Sequence, residues 1–201
     1  MLSNLFNMEN DFWTFANKVA DMVILEIIWL VCCLPIITAG ASCTAFWHVF
    51  IRLAKDEESH VAAGFFRAFR KRFMTGTKIG LIQLAVGLFF LVDIYVCLNM
   101  ETRQSMFLVG MLGVLLFFWL LISLWFYPLA GTYDFTWKKV MGNSLFLTLR
   151  HMPHALTCLM LAAASVAAGI YVPYGFILLP VLAFYVNAKV YVWIFEQYEV
   201  P

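Results

Sequence analysis

The stretch Met106-Phe-Leu-Val-Gly-Met-Leu-Gly-Val-Leu-Leu-Phe-Phe-Trp-Leu-Leu-Ile-Ser-Leu-Trp-Phe-Tyr127 carries no charge and, before its closing tyrosine, a single hydroxyl at Ser123. Coiled as a helix it rises about 33 Å, enough to cross a hydrocarbon core of about 30 Å. Lipid offers the backbone no hydrogen-bond partner, so a crossing segment must satisfy its own amides, and this one lacks the alternation of a barrel strand. Working outward, segments 19–38, 79–98, 155–172 and 176–195 have the same character. The whole chain agrees: 64% of its residues are hydrophobic and 12% charged, against about 45–50% and about 25% in soluble domains. Mean hydropathy is +0.87. A water-soluble domain is excluded, and the reading is an all-α, polytopic transmembrane helical bundle of five spans forming one integral membrane domain over 1–201.

Formal net charge is only +1, which points to no nucleic-acid partner; the placement of the charges matters more. Arg52, Lys55, Arg67, Arg70, Lys71, Arg72 and Lys78 lie between the first two spans, and Lys138, Lys139 and Arg150 between the third and fourth, whereas Lys18 and Arg103 stand alone in the other connections. Basic connections stay on the cytoplasmic side. With five spans this puts the protein in the cell membrane with its N-terminus outside and its C-terminus cytoplasmic. Apolar character also continues past Pro35 to Ala54, so six helices with the N-terminus inside is the alternative. Pro35 followed by Gly40, and Pro128 followed by Gly131, are read as helix breaks, since proline lacks the donor a helix needs. At an offset of eighty, Phe65, Phe66, Phe69, Arg70, Thr77 and Leu81 meet Leu145, Phe146, Leu149, Arg150, Thr157 and Leu161, a weak internal repeat.

Ionisable groups within spans mark function because each costs about 2.5–3.5 kcal/mol at a helix centre. Glu26, Asp93 and Lys189 are the candidates. Lys189 and Asp93 can snorkel to opposite surfaces, or Lys189 can pair with Glu26 inside the bundle; Glu26 is the candidate for a proton or ion relay. Phe65, Phe69 and Phe73 recur every four residues beside Phe66, with Arg67, Arg70 and Lys71 projecting elsewhere. That pattern predicts a basic amphipathic helix lying on the cytoplasmic surface, its phenylalanines in the acyl boundary and its cations on anionic membrane lipids. The same helix, preceded by Asp56, Glu57 and Glu58, would serve as a docking surface for a protein subunit. His151 and His154 have helical spacing but no third ligand, and the five cysteines show no zinc or redox spacing. No hydrolase, P-loop, zincin or dinucleotide-binding fingerprint occurs. The expectation is a non-enzyme without metal or cofactor.

The run Trp29-Leu-Val-Cys-Cys-Leu-Pro-Ile-Ile-Thr-Ala-Gly-Ala-Ser-Cys-Thr-Ala45, then Arg52-Leu-Ala-Lys55 and Phe65-Phe-Arg-Ala-Phe-Arg-Lys-Arg-Phe73, resembles the YesL family of bacterial integral membrane proteins. Leu34 to Ala41 matches its Leu-Pro-hydrophobic-Thr-x-Gly-Ala stretch, and Phe66 to Arg70 its Phe-x-x-Phe-Arg helix. The resemblance implies no established chemistry. It implies association with binding-protein-dependent sugar importers, hence an accessory component of a carbohydrate ABC importer or its assembly, with permease or ATPase subunits as partners. The alternatives are a stand-alone transporter coupled through Glu26 and, last, a small membrane enzyme.

Overall fold

The structure is a computed structural model that describes residues 3–57, 60–100, 103–171 and 175–197. Among them stand seven α-helices and no strand: α1 (Ser3–Cys33), α2 (Ile36–Ala54), α3 (Val61–Asn99), α4 (Arg103–Thr132), α5 (Trp137–Arg150), α6 (Met152–Tyr171) and α7 (Gly175–Gln197). Glu58 lies outside the described residues. Among the described residues three helices are long and apolar enough to cross a membrane: α2, α3 and the Ser105–Thr132 part of α4; the bent α5–α6 pair makes a fourth if taken as one span.

The segment 19–38 is not one helix. Leu34 and Pro35 interrupt it, because Pro35 has no amide hydrogen and disfavours helix at the residue before it. The Thr38 hydroxyl is 2.9 Å from both the Cys32 and the Pro35 carbonyl oxygens, and the Thr38 amide also donates to the Pro35 carbonyl at 3.0 Å, so this residue closes the break. Beyond the break α2 folds back along α1. Ser42 Oγ donates to Trp29 O at 3.2 Å, the Trp29 and Phe46 rings stand 5.2 Å apart, and Lys18 Nζ meets Asp56 Oδ1 at 2.5 Å. Lys18 and the α2–α3 connection therefore share one end of an antiparallel hairpin.

Gly40 is not a break either. It sits inside α2, where a Cβ would come within 2.8 Å of Gly80 Cα, while one on Gly76 would come within 2.7 Å of Ala41 Cα. Small residues allow two backbones this close, which is how helices gain packing energy where lipid removes the hydrophobic drive. Lower α3 is thereby fixed along α2, and it runs on without interruption into segment 79–98. A helix of 39 residues is about 58 Å long, so the basic stretch is in line with the span rather than a separate surface helix. Phe65 is 0% exposed within a cluster containing Met22, Leu25, Phe46 and Phe50, which corrects its expected place in the acyl boundary. Its four-residue partners Phe69 and Phe73 are half-buried.

Pro128 and Gly131 also lie inside a helix, since α4 continues to Thr132. The proline leaves the Leu124 carbonyl without its usual donor, and the hydroxyl of buried Tyr191 from α7 donates to that oxygen at 3.3 Å. A Cβ on Gly131 would lie 2.9 Å from His48 N, so this glycine too marks close packing, and the chain breaks only after Thr132. A second buried cluster joins Trp125, Phe126, Val140, Leu147, Cys158, Tyr191 and Phe195. In contrast, Phe89, Leu91, Phe107 and Val114 are exposed: α3 beyond Gly80 and α4 before Leu121 form an apolar arm that leaves the packed base.

Candidate functional site

Lys55 Nζ lies 3.5 Å from Glu196 Oε1. This ion pair and that of Lys18 with Asp56 bring the middle of α1, the α2–α3 connection and the end of α7 to the same end of the base. Lower α3 presents its cations there. Helix periodicity turns Phe65, Ala68 and Arg72 inward, and leaves Phe66, Arg67, Arg70 and Lys71 exposed around an open hollow of about 520 Å³. Phe66 is 56% exposed, an apolar contact flanked by guanidinium groups.

Behind this face a polar clamp holds the α4–α5 connection. Arg72, 8% exposed, donates through Nη1 to the carbonyls of Ala130 and Tyr133, and its Nη2 stands 3.0 Å from Asp134 Oδ1. Lys71 Nζ meets Asp134 Oδ2 at 2.6 Å. That hydrogen bond, ahead of the nearby charges of Arg72, Lys71 and His48, holds the Asp134 carboxyl below the usual range despite some burial. His48 Nδ1 adds a 2.6 Å contact with Gly131 O. The C-terminal carbonyls of a helix carry partial negative charge and no intrahelical partner, so cations are favoured there. Arg72 and His48 thus bind the end of α4, and Lys71 is tied to Asp134 at one edge of the basic face.

Sequence reasoning counted Arg72 only as a loop charge. The spacing that puts Arg72 on the side of Phe65 and Ala68 would have assigned it to the interior. Gly76-x-x-x-Gly80 was likewise a readable signal for close helix contact.

The three ionisable candidates separate. Glu26 is 4% exposed, and its Oε2 has no hydrogen-bond partner; buried Asn187 of α7 has an unpartnered Oδ1. Lys189 is exposed and does not form an ion pair with Glu26; its Nζ stands 5.6 Å from the centre of the Tyr185 ring. Asp93 is half-buried on the arm. The His151 and His154 rings are 5.7 Å apart, with His154 stacked on Trp193 at 5.5 Å. Among the described residues no group of three or more His, Cys, Asp or Glu side chains is arranged to hold a metal ion.

The family described as "Protein of unknown function, DUF624" matches residues 22–94, from α1 through most of α3. "Uncharacterized protein YesL" of Bacillus subtilis (strain 168) is 25% identical over 165 residues, covering 82% of this chain and 77% of that protein. No solved structure matches the chain.

Proposed function

From the premise that this chain belongs to the YesL family, we propose that it is a non-enzymatic membrane protein that docks another subunit through lower α3. The observation that carries this reading is the exposed face of Phe66, Arg67 and Arg70, held rigid by the packing of Phe65 and Arg72 behind it. Aromatic and arginine side chains dominate the energetics of protein interfaces. The family resemblance supplies the partner class, the permease or ATPase subunits of a carbohydrate ABC importer. Affinity purification from native membranes tests it. Charge reversal of Arg67 and Arg70 should release the co-purifying subunits, and a complex that survives reversal removes the docking role.

The same reading includes a topology. Five spans with the N-terminus outside require segment 19–38 to cross once, and the Leu34–Pro35 break and the Lys18–Asp56 pair favour a return to the basic side instead. Gly40 against Gly80 sets the depth: the Leu34–Ile37 tip, with Leu34 80% exposed, reaches only about 6 Å beyond Gly80, whereas α3 continues for about 28 Å. The α1–α2 pair is then a re-entrant hairpin in the cytoplasmic leaflet, with both termini inside.

One observation favours a second reading, a stand-alone transporter: the unpartnered Glu26 oxygen inside the bundle, since intramembrane carboxyls mark ion and proton paths. Purified protein in proteoliposomes would then move sugar or protons alone, and Glu26→Gln would stop it. Flux that persists in that variant removes Glu26 from the account.

A further inference from the structure

A hollow of about 330 Å³ lies between the start of α6 and the second half of α7, bounded by His154, Tyr185, Val186, Lys189, Val190 and Trp193. It involves none of the residues of the basic face on α3. Among the described residues no carboxylate lines it, and Lys189 gives it a cation; Lys18 Nζ is also only 5.7 Å from the Tyr185 ring centre. Lys189 is near enough to Asp56 to help hold that carboxyl below the usual range, after the hydrogen bond and charge of Lys18. The hollow therefore sits towards the base end of α7, and the rest of its wall is apolar or aromatic, with Val186 and Trp193 open to the surroundings.

We propose that this hollow holds an anionic phospholipid, its phosphate against Lys189 and an acyl chain along Val186, Val190 and Trp193. The wall chemistry selects an amphiphile over a soluble anion: a phosphate alone would use one cation and leave the valines and tryptophan idle. A zwitterionic lipid would fill the same wall, but its own cation would oppose Lys189. Tryptophan beside lysine is also a pairing that membrane interfaces favour, the ammonium reaching to the phosphate.

Native mass spectrometry of the detergent-solubilised full chain tests this with phosphatidylglycerol, phosphatidylcholine of the same acyl chains, and inorganic phosphate. Phosphatidylglycerol should be retained in preference to phosphatidylcholine, and Lys189→Gln should cut that preference about fivefold, the worth of one surface cation. Arg67→Gln with Arg70→Gln should leave it unchanged, which separates this site from the docking face. Equal retention of both lipids, a preference that survives Lys189→Gln, or displacement of phosphatidylglycerol by millimolar inorganic phosphate would each overturn the proposal. Should Lys189→Gln fail to give monodisperse protein, Trp193→Ala provides the second test: retention of phosphatidylglycerol should fall, and unchanged retention contradicts the acyl wall.

Discussion

Lower α3 and α5–α6 are related by a weak repeat at an offset of eighty, yet they fold differently. Helix α3 is unbroken from Val61 to Asn99, whereas the second copy stops at Arg150, restarts at Met152 and bends by 99°. The position that decides this is 73 against 153: phenylalanine in α3, proline in α6. Proline in the interior removes a hydrogen bond to the carbonyl four residues earlier and crowds it, but in a first turn it costs nothing. The burial differs as well. Phe65 faces α2, while its counterpart Leu145, with Phe146 and Leu149, stays exposed. The interfacial amphipathic character expected of 65–73 therefore belongs to α5, whose Val140, Ser144, Leu147 and Thr148 face inward and whose open face carries leucine and phenylalanine beside Arg150.

The strongest way to break this comparison is to give α3 the residue of its counterpart. Phe73→Pro should interrupt the helix between its packed and apolar halves at a cost of about 3 kcal/mol or more, read as loss of the monodisperse peak in detergent chromatography. Gly40→Ala comes next. Its methyl would meet the backbone of Gly76 and Gly80, which cannot rotate aside, so thermal unfolding should show a loss of about 1–3 kcal/mol. The reverse exchange, Pro153→Ala, should change stability by less than about 1 kcal/mol but open the bend. Spin labels at Lys139 and Met160 would then move apart, and an unchanged distance would assign the bend to packing instead of proline.

The smallest effect is that of Asp134. Because the Lys71 hydrogen bond depresses its carboxyl pKa, its contribution is present above the unfolded value of about 3.9 and fades as pH falls through the lower folded value. Asp134 and Lys71 are largely exposed, and buried Arg72 keeps the Ala130 and Tyr133 carbonyls when the carboxylate is lost, so the loss on acidification should be only about 1 kcal/mol, and Asp134→Asn should flatten that acid limb of the stability curve.

Much of this fold was legible in the sequence. Uninterrupted apolar runs identified the α3–α4 arm, because a span needs no partner to be recognised, and Pro35 marked a break by chemistry alone. The reading failed where a residue's role depends on a distant neighbour. Pro128 stays helical because Tyr191 serves the carbonyl it orphans, and Gly40 is a contact because Gly76 and Gly80 lie opposite. The phenylalanine spacing defined a face of lower α3 correctly but not what covers it: a four-residue period fits a lipid boundary and a helix neighbour equally. The exposed basic face of lower α3 was legible through Arg67 and Arg70, whereas the clamp behind it needs α4 and could not be seen from local spacing.

The proposed topology turns on whether the α1–α2 pair returns to the basic side of the membrane. In a background with Cys32, Cys33, Cys43, Cys97 and Cys158 replaced, single cysteines at Asn17, Met100 and Asp134 can be probed in intact cells with a membrane-impermeant maleimide. The position at Met100 should label from outside, and those at Asn17 and Asp134 only after permeabilisation. External labelling at Asn17 with Asp134 protected would put Asn17 of α1 and the basic side, marked by the α4–α5 connection, on opposite faces of the membrane and contradict it.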